Sequence, residues 1–152
     1  MLARVLTTLM LLVSVAAFSQ TSQDYALMGA NAWAAFQCST LVDKTERPDE
    51  RQALFDFGYQ QGKMFLQAMG NGGVDGADVS RHVPIAVLDK LQPFVSPELP
   101  TADFRLGAIW ESATRSILDS IESSASPILF AASEFNKRKC SSLLASAMRE
   151  QR

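Results

Sequence analysis

The sequence predicts an all-α fold: a single-domain bundle of four longer helices plus a short helix, with the first and last helices joined by a Cys38–Cys140 disulfide. Three observations predict it. Apolar residues recur at helical spacing through four long segments, and no segment shows the alternation of a half-buried strand. Proline, glycine and capping residues punctuate the intervals between those segments. The two cysteines stand in the first and last of them, in a chain that opens with an export signal.

That signal occupies residues 1–19. Arg4 supplies a positive start, Val5 to Ala17 is a mostly apolar run of 13 residues, and Ala17-Phe18-Ser19 offers small residues for signal peptidase. Cleavage after Ser19 is preferred over cleavage after Ala17. The run is shorter than the roughly 20 residues that span a bilayer, so a cleaved signal is expected in place of an anchor. Residues 20–152 then form the mature helical domain, with the periplasm as the expected compartment and no stable membrane insertion after cleavage. Cleavage after Ser19 leaves 133 residues with 13 basic and 16 acidic side chains. Such a balance lacks the basic footprint of nucleic-acid binding.

The first helix is expected from Asp24 to Lys44, with a stripe from Tyr25 through Met28, Ala32, Trp33 and Phe36, broad enough to be covered on more than one side. Pro48 opens the second, where a first-turn proline forfeits no hydrogen bond and Asp49 and Glu50 favour the positive end of the helix dipole. It runs to Met69 and stops at GNGG. Within it, Gly58 and Gly62 lie one turn apart on one face. Each glycine costs up to about 1 kcal/mol relative to alanine, so close helix packing or contact with a ligand is expected to compensate.

After a linker, PIAVLDKLQ forms the short helix, and a segment with Pro93, Pro97 and Pro100 crosses the surface. Thr101 caps a helix over residues 102–122, with Leu106, Trp110, Ala113, Ile117 and Ile121 as its stripe, Phe104, Ile109 and Leu118 supporting it, and Glu111–Arg115 on its solvated flank. Ser126 and Pro127 start the last helix, expected to run unbroken to Glu150, with Ile128, Ala132 and Phe135 facing the core.

An exported chain meets an oxidising environment, and two cysteines allow one intramolecular pairing. Cys38 is therefore expected to clasp the first helix to the last. The run Lys137-Arg138-Lys139 beside Cys140 reads as a wet face, or as a surface that docks an anionic partner.

Catalytic, cofactor-binding and metal residues are not predicted. His82, the only histidine, has no nucleophile signature around it. A calcium loop starting at Asn71 would place Gly76 correctly but puts His82 where the bidentate glutamate belongs. Asp56, Asp103, Glu111, Asp119 and Glu134 recur along helices, and solvated faces are their expected setting.

The motifs AFQCSTL, FGYQQG, DVSRHVPIAVLDKL and KCSSLL, behind a signal peptide, resemble exported helical immunity proteins of type VI secretion systems. The resemblance implies a protein that occupies a toxin's active site in the periplasm, and it carries over no inhibitory residue. The expected function is a non-enzymatic periplasmic binding protein with a protein partner, an inhibitor or immunity protein for an envelope-acting toxin or hydrolase. A homo-oligomer is compatible with it. A periplasmic stress chaperone is the alternative, and a carboxylate-dependent cell-wall enzyme comes third.

Overall fold

The computed structural model of the protein describes residues 20–91 and 101–150. The expected signal peptide and the segment with Pro93, Pro97 and Pro100 lie outside the described residues. The described chain is all-helical: α1 (Ser22–Asp43), α2 (Pro48–Gly70), α3 (Gly76–His82), α4 (Ile85–Leu91), α5 (Ala102–Glu122), α6 (Pro127–Lys137) and α7 (Cys140–Glu150).

Seven helices among the described residues replace the expected four longer ones and a short one. The first addition is α3, which forms inside the expected linker. Asp75 starts it by accepting the Ala77 backbone N–H at 2.7 Å, and the Ser22 hydroxyl ties it to α1 by accepting the Asp75 N–H at 2.7 Å and donating to Asp78 at 2.6 Å. The second arises because the expected last helix is two. Lys139 adopts a left-handed φ of 56°, which ends α6 and restarts the chain as α7. A non-glycine residue there costs about 1 kcal/mol, and the turn sets Cys140 against Cys38.

Helix starts follow local chemistry. Thr21 and Asp24 form a reciprocal capping box, so α1 begins two residues before the apolar stripe suggests. Pro48 and Pro127 occupy first-turn positions, and the Thr101 hydroxyl accepts the Phe104 N–H at 3.2 Å.

The central element is α1. Residues 35 to 42 are all buried, two full turns with no solvent face, because α2, α5, α6 and α7 surround them. One core cluster gathers Phe36, Phe65, Val87, Leu106 and Ile109; a second gathers Leu41, Leu54, Ile117, Phe135 and the two cysteines. The Cys38–Cys140 disulfide is present, with Cα atoms 5.6 Å apart, and joins α1 to α7 across 102 residues of sequence.

Close approach of α1 and α2 depends on small residues. A Cβ at Gly58 would stand 3.0 Å from the Phe36 ring and 3.2 Å from the Ala35 Cβ, while one at Gly62 would meet Leu106 and Ala32. Gly107, by contrast, lies exposed in the middle of α5 with open space around it. Gly58→Ala is therefore expected to lose about 1 to 2 kcal/mol, because crowding of an immobile ring outweighs the gain in helix propensity. Gly107→Ala should gain about 0.5 to 1 kcal/mol from propensity alone. Urea midpoints of the two variants, moving in opposite directions, check both statements.

Candidate functional site

The register of α5 differs from expectation in a way that creates a surface feature. Its buried stripe is Leu106, Ile109, Ala113, Ile117 and Ile121, so Ile109 takes the inward place expected for Trp110. Trp110 moves to the stripe's edge and is 41% exposed. Residues 110, 114 and 118 then form a ridge one turn apart, and Glu111, Arg115, Asp119 and Glu122 follow on its outer side.

This ridge faces the last turns of α1 and the first turns of α2, leaving an open groove of about 340 Å³. Its walls include Thr40 and Asp43 from α1, Arg51 and Phe55 from α2, and Trp110 and Leu118 from α5. The short α1–α2 connection brings the two helix ends together, and Arg51 donates to Asp43 at 3.1 Å across it. Phe55 meets Trp110 edge to face at 6.2 Å and leans on buried Phe36 at 5.8 Å, so a line of three rings runs from core to surface. The indole is thereby held by the core. A second recess of about 270 Å³ shares Trp110, Thr114 and Leu118, and is otherwise lined by Glu111, Arg115, Asp119 and Glu122.

The hydroxyls beside the groove are turned inward. Ser39 and Thr40 both donate to the Phe36 carbonyl, at 2.9 and 3.0 Å, and the Thr114 hydroxyl lies 3.3 Å from that of Thr40. Carboxylates elsewhere are also engaged: Tyr59 donates to Asp103 at 2.9 Å, Gln52 to Asp56 at 2.8 Å and Arg115 to Glu111 at 2.8 Å. The hydrogen bond to Asp103 raises the Tyr59 pKa above its ordinary value of 10.0. His82 ends α3 with its Nε2 buried and without a hydrogen-bond partner. Among the described residues no three His, Cys, Asp or Glu side chains converge as a metal site requires, and no helix is long and apolar enough to cross a membrane.

No family model, curated protein or solved structure matches the chain.

Lys137, Arg138 and Lys139 lie at the α6–α7 joint, and none of them lines the groove. Arg138 turns back onto the bundle. It donates to Glu134 at 3.0 Å and to the side-chain carbonyl of buried Gln37 at 2.7 Å, and Gln37 in turn donates to Ser116 at 3.0 Å. The chain Glu134–Arg138–Gln37–Ser116 thus braces α6, α1 and α5. Arg138→Ala is expected to cost about 1 to 3 kcal/mol, because the Gln37 carbonyl loses its donor inside the bundle. Lys139→Ala, at an exposed position without such a contact, is the comparison in chemical denaturation.

Hydrogen bonding from Lys137, with the nearby charge of Arg138, holds the Glu134 carboxyl below its ordinary pKa of 4.5. Its contribution to stability is full above that value and is lost as pH falls through the depressed one. Glu134→Gln should therefore flatten the fall in urea midpoint below about pH 4.5.

Gly58 and Gly62 are buried between α1 and α2, where Phe36, Ala35, Ala32 and Leu106 occupy the space over them. The feature that sequence reasoning missed is the groove itself. Its signal was the pair Ile109-Trp110, either of which satisfies helical spacing; the larger and more amphipathic indole is the better one to leave at an edge.

Proposed function

We propose that the protein is an exported, non-enzymatic binding protein that inhibits, or protects the cell from, an envelope-acting toxin or hydrolase. The observation that carries this reading is the Trp110 groove. A rigidly backed, part-exposed tryptophan beside an ion-paired rim has the composition of a protein-recognition surface, in which aromatic anchors contribute most of the affinity. Two features support a recognition role over a chemical one. The Ser39 and Thr40 hydroxyls at the groove donate to backbone, and Asp56, Asp103, Glu111 and Glu134 are each held by a hydrogen-bond donor. The disulfide between two fully buried cysteines suits a protein that works where thiols oxidise.

Affinity capture of the oxidised protein from envelope and secreted fractions, followed by mass spectrometry, tests the reading. A single stoichiometric hydrolase or toxin whose activity is suppressed at a one-to-one ratio is the expected result. A spread of unrelated unfolded polypeptides would replace inhibition with a chaperone function, and turnover of cell-wall material by the protein alone would replace it with an enzyme.

A further inference from the structure

The groove and its neighbouring recess have a charge pattern that restricts what fills them. Four carboxylates line the two together, Asp43, Glu111, Asp119 and Glu122, against the guanidinium groups of Arg51 and Arg115. Both guanidinium groups are spoken for within the protein, Arg51 by Asp43 and Arg115 by Glu111. Asp119 and Glu122 make no ion pair at contact distance among the described residues, although Asp119 stands near enough to Arg115 to favour its charge, and both carboxylates share the recess with the exposed Trp110. The charge left over is therefore negative, and it stands beside an indole.

We infer that this surface receives a basic segment of the protein partner, with an arginine or lysine side chain over Trp110 and its charge directed to Asp119 and Glu122. The inference rests on the protein-binding reading above and gives its partner a chemistry. A cation over an indole gains from the ring quadrupole, and neighbouring carboxylates add to that attraction while Leu118 and Phe55 cover the aliphatic stem. An acidic segment would meet like charge. A purely apolar one would take water from Asp119 and Glu122 and return no partner. The groove, at about 340 Å³, is near the lower end of ligand pockets, which suits inserted side chains better than a large cofactor.

The test uses two capped hexapeptides, one of alternating leucine and arginine and one of alternating leucine and glutamate, titrated calorimetrically into the intact oxidised protein. The arginine peptide is expected to bind, to weaken as salt is added, and to exceed the glutamate peptide by at least about tenfold. Asp119→Asn/Glu122→Gln, two exposed changes on α5, should weaken it about fivefold, and Trp110→Ala more than about tenfold. Equal binding of the two peptides, absence of arginine-peptide binding, or full binding by the folded carboxylate double variant would overturn the inference. Where a captured hydrolase is inhibited equally well by Trp110→Ala and by the double variant, the groove is excluded while the protein-binding function stands. Where the arginine peptide binds as expected but capture yields no partner, the groove is supported and the inhibitor function alone is in question.

Discussion

Replacing Cys38 and Cys140 together by alanine is expected to lower stability by about 4 to 5 kcal/mol. The bridge spans 102 residues, so its removal frees nearly the whole described chain in the denatured state, and loop-closure entropy of that size gives the figure. Both cysteines are fully buried among Leu41, Leu54, Ile117 and Phe135, so the loss is not relieved by water entering the site. Urea denaturation of the double variant should show a midpoint lower by about 2 to 4 M, with a steeper dependence on denaturant because the unbridged chain exposes more surface. A loss below about 1 kcal/mol would mean that the denatured chain already holds its two ends together.

Phe36→Ala is expected to cost about 3 to 5 kcal/mol, and its effect should reach the surface. The ring fills the space that Gly58 leaves on α2, and with no side chain at Gly58 to settle into the gap, the cavity stays open. Phe36 also supports Phe55, which supports Trp110. Removal of the first ring should therefore loosen the third, seen as a change in near-ultraviolet circular dichroism and as weaker binding of the arginine peptide under conditions where the variant remains folded. Destabilisation without any change at Trp110 would show that the indole is held by α5 alone.

The alternative, a stress chaperone, would need an acid response, and the depressed Glu134 pKa gives one part of such a response a location. Loss of this one interaction at low pH weakens a brace between α6 and the rest of the bundle. Unfolded clients would meet Ile128 and Leu129, which are 65% and 70% exposed in the folded bundle without any acid-driven opening.

That exposure also marks where the sequence stops being sufficient. Of the expected stripe Ile128, Ala132 and Phe135, only Phe135 faces inward; Ala131 takes the buried place beside it, and the helix expected over residues 127–150 turns at Lys139. The residues 137–139 contain no glycine or proline to announce the turn. The short helix α3 is a different case: Asp75 followed three residues later by Asp78 is a helix-start signal, present in the sequence and outweighed there by the surrounding glycines. Gly58 and Gly62 announced tight packing through their spacing, while the identity of what lies over them, a phenylalanine ring and a leucine, belongs to helices elsewhere in the chain.

The helical class, the starts at Pro48, Ala102 and Pro127, and the pairing of Cys38 with Cys140 are legible in the chain before it folds. Each follows from interactions within one turn of helix or from there being two cysteines to join. The place of Trp110 at an edge, the reach of Arg138 to Gln37 and the break of the last helix at Lys139 come from packing between helices. Those outcomes depend on which surface lies opposite a residue, and burial and hydrogen bonding across helices outweigh local preferences worth a few tenths of a kcal/mol to about 1 kcal/mol.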